Sequence, residues 1–201
     1  MKIALTGGIA CGKSLFAKFL RELGIQVIDA DDVVHALESP GGAAVPAIVA
    51  RFGRDVLALD GGIDRPSLAA RVFPDTAARA DLEAILFPLV RAYLAREGRV
   101  CRDRDQITIH IIPLLFESHW ETDYDILLCI ASPVDLQIAR MMVARGYSRA
   151  HAEARLAAQW PVAEKAARCH YTVMNDSTPE HLRGEAERLV AWLEEQTKHE
   201  R

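Results

Sequence analysis

Short apolar runs alternate along the chain with stretches whose apolar residues recur at helical spacing. Ile3-Ala4-Leu5 is such a run, and after a glycine-rich stretch Leu15-Phe16-Ala17-Lys18-Phe19-Leu20 has the spacing of one helix face. Ile25-Gln26-Val27-Ile28, set off by Gly24 and a polar cluster, reads as a second strand. Strand, helix, strand implies parallel pairing. Ile107 to Ile112, Tyr124 to Ile130 and Tyr171 to Met174 read as further strands. Helices are predicted from Val33 to Leu37, from Ala43 to Phe52 and from Pro66 to Val72. A longer one runs from Pro74 to about Gly98, with Leu82, Ile85, Leu86, Leu89, Val90, Tyr93 and Leu94 on its buried face and a bend expected at Pro88. Two more flank Gly146-Tyr147-Ser148, the first opened by Pro133, and a final amphipathic helix carries Leu182, Leu189, Trp192 and Leu193. The alternation predicts an α/β fold, a parallel core sheet flanked by helices.

Composition narrows the possibilities. With 201 residues, half of them hydrophobic, the chain can bury one proper core with a small insertion. A net charge of −4 gives no global attraction to nucleic acid or an acidic membrane. No apolar run reaches membrane-spanning length, and the first strand starts without a cleavable leader, so a cytoplasmic protein is expected. Cys11, Cys101, Cys129 and Cys169 are far apart in sequence, with no C-x-x-C pair to suggest zinc or a disulfide framework.

The chemistry enters at Gly7-Gly8-Ile9-Ala10-Cys11-Gly12-Lys13-Ser14, which meets G-x-x-x-x-G-K-[ST] at every fixed position, between a strand and a helix. Glycines let consecutive N–H groups turn inward, and the following helix adds its positive end. Lys13 is expected to reach the β- and γ-phosphates of a nucleotide and Ser14 to hold Mg²⁺. Asp29-Ala30-Asp31-Asp32 follows the second strand, at the edge where open α/β sheets bind ligands. Asp32 is as well suited to capping the next helix as to binding, whereas Asp29 and Asp31 are expected to bind the metal or accept a proton. Glu117, after Pro113 ends a strand, is either an ordinary polar loop residue or a contact to substrate or metal-bound water, and Arg65, ahead of Pro66, is either a surface charge or a contact to substrate phosphate. Arg140, Arg145, Arg149 and Arg155 lie on the predicted helix pair, suited to covering phosphates as a lid; Lys165 and Arg168 add charge beyond it. His110 and His119 lack partners at metal-ligand spacing.

Taken in order, these pieces resemble the dephospho-coenzyme A kinase family over nearly the whole chain. The resemblance is carried by Leu5-Thr6-Gly7-Gly8-Ile9 with Gly12-Lys13-Ser14, Val27-Ile28-Asp29-Ala30-Asp31, Pro40-Gly41, Phe52-Gly53, Ile63-Asp64-Arg65, Pro113-Leu114-Leu115-Phe116-Glu117, Gln137-Ile138-Ala139-Arg140, Arg155-Leu156-Ala157-Ala158-Gln159 and Asn175. It implies a single P-loop kinase domain over 1–201, with a helical acceptor-binding segment near 32–98 and a lid near 140–160. The implied activity is transfer of the γ-phosphoryl group of ATP, with Mg²⁺, to the ribose 3′-hydroxyl of dephospho-coenzyme A. Asp31 resembles the catalytic base and Arg140 the lid arginine, acting with Lys13. The nucleotide contacts implied are Gly8, Ile9, Ala10, Cys11, Gly12, Lys13, Ser14, Leu15 and Asn175, with Ser14 on the metal. Those implied for the acceptor are Thr6, Asp31, His35, Arg65, Leu114, Leu115 and Glu117. The chain departs from the common family pattern at Ala10-Cys11, where Gly-Ser is usual, and at Leu15, Phe87 and His170, where threonine, histidine and aspartate are usual. A kinase of another small metabolite or nucleotide is the nearest alternative. A GTPase switch is disfavoured because Asn-Lys-x-Asp and Asp-x-x-Gly are both missing.

Overall fold

In the computed structural model, which describes residues 1–103 and 106–199, five strands form one sheet in the order β2-β3-β1-β4-β5. The strands are β1 (Ile3–Gly7), β2 (Gln26–Asp29), β3 (Thr108–Ile111), β4 (Ile126–Ala131) and β5 (Tyr171–Met174). β1 pairs in parallel with β3 (Leu5 beside Ile111) and with β4 (Gly7 beside Ile130), and β4 pairs in parallel with β5. Every residue of β1 and β4 is buried, which is why both read as unbroken apolar runs rather than alternating ones.

The contacts divide the chain into two compact units, residues 1–27 with 101–201, and residues 28–100. In the first, Ile3, Leu5, Ile109, Ile111, Ile126, Leu128, Ile130 and Val173 of the sheet form one cluster with α1 (Lys13–Glu22) and α9 (Pro179–His199). Phe16 and Leu20 come from α1, while Leu182, Ala186, Leu189 and Leu193 form the i, i+4, i+7, i+11 stripe of α9. Thr178 caps α9, its hydroxyl accepting from the His181 amide at 3.3 Å. α6 (Val134–Arg145) stops at Gly146, left-handed at φ 65°, and packs on α7 (Arg149–Ala157); α8 (Val162–Ala167), beyond Pro161, packs against β4 and β1.

The second unit is helical. It holds α2 (Ala30–Glu38), α3 (Val45–Phe52), α4 (Arg65–Val72) and most of α5 (Thr76–Asp103), around Ile48, Phe52, Val56, Ile63, Leu68, Val72 and Leu86. α5 continues through Pro88 and beyond Gly98 as one helix. Pro66 stands in the first turn of α4, where its missing N–H costs nothing, and Asp64 caps that helix through Ser67.

Candidate active site

The phosphate loop leaves the buried carboxyl end of β1 and turns into α1. Gly12 takes the N-cap position in a left-handed conformation (φ 90°, ψ 21°), and no side chain caps α1 or places an acid in its first turn. The free N–H groups and the helix dipole therefore point at whatever the loop encloses. Gly7 is held at φ 150°, where a Cβ would strike the Ile130 backbone. A Cβ on Gly8 would fall 2.7 Å from Gln137 Oε1 and 2.9 Å from Cys11 Sγ, so the loop is closely packed from below. Cys11 is fully buried, and that burial pushes its thiol up despite the Lys13 charge; it fills space as a neutral group. Lys13 Nζ donates to the carbonyls of Gly7 (3.0 Å) and Gly8 (2.8 Å). Ser14 and Leu15 are exposed in the first turn of α1, and Ile9 and Ala10 pack against Ile138, Met141 and Ala152.

Polar groups from distant segments converge on this loop. Asn175, buried just past β5, donates through Nδ2 to the Cys11 carbonyl at 2.9 Å. Arg140 on α6 donates to the carbonyls of Ala10 (3.3 Å) and Asn175 (3.2 Å), to Asn175 Oδ1 (3.3 Å) and to Ser132 Oγ (3.0 Å). Ser132 Oγ in turn donates to the Asn175 carbonyl at 2.7 Å, and buried Gln137 donates to the Ser132 carbonyl at 2.9 Å. Arg140 is thus braced against the loop. Sequence reasoning missed Ser132 and Gln137 as parts of this brace. His170, where the family commonly has aspartate, accepts the Leu127 amide through Nδ1 at 2.9 Å, a bond that a carboxylate can also accept.

On the same unit, Thr6 Oγ1 donates to the Pro113 carbonyl at 3.2 Å. Leu114 is exposed and Leu115 fully buried. Glu117 accepts from the Trp160 amide at 3.0 Å and pairs with Lys165 at 2.7 Å. Lys165, one of the two charges added beyond the arginine-bearing helix pair, is fully buried and also donates to the Pro113 carbonyl at 3.0 Å. A buried ammonium requires such partners, and the PLLFE stretch supplies both.

In the second unit Asp29, not Asp32, caps α2: its Oδ1 accepts the Asp31 amide at 2.9 Å, because Asp29 is extended while Asp31 is already helical. Asp31 and Asp32 lie exposed in the first turn of α2. His35 and Arg65 meet, with Arg65 NH1 3.2 Å from His35 Nδ1. Phe87 is half-buried on α5.

Comparison with known proteins agrees with this construction. The family model described as dephospho-CoA kinase matches residues 1–180. The chain belongs to the dephospho-CoA kinase family. Curated relatives of that name include one from Anaeromyxobacter dehalogenans, 45% identical over 95% of this chain and 91% of its own, and one from Geobacillus kaustophilus, 41% identical over 91% and 92%. A crystal structure of a Thermus thermophilus protein superposes with a TM-score of 0.81 at 32% identity, covering 96% of this chain and 97% of that one. Shikimate kinase from Acinetobacter baumannii, at TM-score 0.53 and 16% identity, shares the fold.

The family uses ATP with Mg²⁺. The uncapped helix and left-handed Gly12 fit a triphosphate. Among the described residues no cluster of His, Cys, Asp and Glu is built to hold a metal. Mg²⁺ in such kinases takes one or two protein oxygens and otherwise phosphate and water. No helix among the described residues is long and apolar enough to cross a membrane.

Proposed function

We infer that the protein transfers the γ-phosphoryl group of ATP to the ribose 3′-hydroxyl of dephospho-coenzyme A, giving coenzyme A and ADP. The observation that carries this reading is a complete phosphate loop in a chain whose family match runs from residue 1 to residue 180. The loop amides and Lys13 bind the β- and γ-phosphates. The Ser14 hydroxyl would hold Mg²⁺, which would supply positive charge against the transferred group. Asp31 accepts the proton as the ribose O3′–H bond breaks; O3′ bonds to the γ-phosphorus, and the bond to the ADP oxygen breaks. An exposed carboxylate in the first turn of α2 is open to an incoming hydroxyl, as a base must be.

Arg140 and Asn175 hold the loop from the α6 side, and Arg140 adds positive charge beside Ala10. Residues 140–160 serve as the phosphate-covering lid. The helical segment near 32–98 binds the acceptor, with His35 and Arg65 on its surface, while Leu114 has the exposure to meet the pantetheine arm and Leu115 supports it from inside. Thr6 and Glu117 order the Pro113 to Glu117 turn on which Leu114 stands. Such an enzyme works in the cytoplasm.

The test is product analysis with ATP, Mg²⁺ and dephospho-coenzyme A. Stoichiometric coenzyme A and ADP are expected; ADP without coenzyme A, or preferred phosphorylation of another nucleotide or metabolite, overturns the reading.

A further inference from the structure

Two thiols outside the nucleotide site meet behind the sheet. Leu128 and Ile130 of β4 point into the cluster with α1 and α9, so Cys129, between them, points to the other face. The chain crosses from β4 to β5 in the opposite direction to its crossing from β1 to β2, and right-handed connections therefore set α8 on the face away from α1. Cys129 and α8 share that face. Thr172 of β5, the register partner of Cys129, donates its hydroxyl to the Ala166 carbonyl at 3.4 Å, and the same carbonyl accepts the Cys169 amide at 3.1 Å. The next residue, His170, gives its amide to the Leu127 carbonyl at 2.8 Å and takes the Leu127 amide on Nδ1 at 2.9 Å. Leu127 precedes Cys129 on the same face of the strand. Cys169 is thereby pinned beside Cys129, and both are free thiols.

The two sulfurs are unequal. Cys129, like Cys11 and Cys101, is buried, whereas Cys169 is partly exposed. The Cys129 thiol donates a hydrogen bond to Cys169; this raises its own pKa and, together with the buried Lys165 ammonium, lowers that of Cys169 against its partial burial. A thiolate that solvent reaches, next to a second thiol that holds its proton, is the arrangement of a reactive cysteine with its resolving partner.

We propose that Cys169 and Cys129 form a peroxide-responsive dithiol which, once joined, weakens the grip of the phosphate loop on nucleotide. The Cys169 thiolate attacks one oxygen of hydrogen peroxide, the O–O bond breaks, and the departing hydroxide takes up a proton as water, leaving a sulfenic acid on Cys169. The Cys129 sulfur then bonds to Cys169 Sγ, the S–O bond breaks, and the hydroxide leaves with the Cys129 proton as a second water. In sum, two thiols are oxidised to one disulfide and one peroxide is reduced to two waters. The new bond draws the sulfurs to about 2 Å, closer than two thiols can approach. α8 has little slack to absorb this. At its start Val162 lies under the loop, where a Cβ on Gly8 would fall 3.2 Å from Val162 Cβ, and further along Lys165 is held by Pro113 and Glu117. A pull at the end of α8 therefore reaches the floor beneath Gly8.

The experiment treats the reduced whole protein with hydrogen peroxide, blocks the remaining thiols with iodoacetamide, maps the cysteines by mass spectrometry, and measures ATP binding by calorimetry before and after. C169S and C129A are carried alongside. A peptide joining Cys129 to Cys169, two hydrogens lighter than its reduced parts, is expected, with reversal by dithiothreitol. The Kd for ATP should rise about threefold to tenfold, the worth of one loop hydrogen bond. C169S should keep its ATP affinity under peroxide, and C129A should hold Cys169 as a sulfenic acid that dimedone traps. Absence of the joined peptide, unchanged affinity once it has formed, or an equal loss in C169S would each overturn the proposal. Because C169S changes a partly exposed position, its result decides even where the buried C129A fails to fold. The readout is nucleotide binding, so failure here leaves the acceptor assignment untouched, and a wrong acceptor would show in product analysis alone.

Discussion

The two compact units solve ligand binding in opposite ways. In the sheet unit the phosphate cup is made of backbone: Gly7, Gly12 and the amides of α1, mounted on a strand buried along its whole length and tied down by Asn175 and Arg140. In the helical unit the groups proposed for the acceptor are side chains on helix ends, Asp31 and His35 on α2 and Arg65 on α4, and all three are exposed. A backbone cup is specific for a group that every nucleotide carries. Exposed side chains on helix termini can be exchanged with little disturbance of a core, so the proposed acceptor groups are the ones through which acceptor choice can be varied.

The largest expected effect tests that division directly. Asp31→Asn should leave ATP affinity unchanged and lower kcat by about 10²- to 10⁴-fold, the usual contribution of a positioned base; near-normal turnover by rapid quench removes Asp31 from that role.

Next comes a weakness of the sheet unit that the helical one lacks. His110 on β3 is buried, its Nδ1 3.0 Å from the Tyr124 hydroxyl and its Nε2 without a hydrogen-bond partner; burial, helped by the Lys2 charge, lowers its pKa to about 4. The unfolded chain takes up this proton near pH 6.5 and the folded chain only near 4, so stability falls as pH drops through that window. The loss reaches about 3 kcal/mol below it. Denaturant midpoints from pH 7 to 4 should show the slope, and His110→Gln should flatten it; an equal slope in the variant refutes the assignment.

Removing a brace should be milder. Asn175→Ala deletes the bond to the Cys11 carbonyl and is expected to raise KM for ATP about tenfold with little change in acceptor KM, at about 1 to 1.5 kcal/mol for the lost hydrogen bond. An equal rise in both constants would mean that the nucleotide and acceptor contributions are not separable.

The smallest change improves the loop. Ala10 is left-handed at φ 58°, where the family commonly has glycine. Ala10→Gly should raise stability by about 0.5 to 1 kcal/mol, relief of the αL cost less the added freedom of the unfolded chain. A lower melting temperature would show that the Ala10 methyl, packed near Ile138 and Met141, is worth more than the strain.

How much was legible in the sequence follows the same division. The loop could be read from glycine spacing because its shape depends on local dihedrals, and β1, β3 and β4 from unbroken apolar runs because both faces are covered. Ser132, Gln137 and the buried Lys165 could not, since their partners lie far away in sequence and a lysine among alanines on a short helix looks like a surface residue. Asp32 was read as a cap as readily as a ligand, while Asp29 takes that position, because α2 begins at Ala30, directly after the strand and ahead of the apolar residues that mark it in the sequence. Glu38 reads as an ordinary acid at the end of α2, and only tertiary packing buries it against Arg65.

The strand that delivers the phosphate loop has hydrogen-bonded neighbours along both edges. Its amides should therefore trade their protons for deuterium only when the entire sheet comes apart. Fraying is no route for ADP to leave. The floor beneath the spent nucleotide stays still from one turnover to the next.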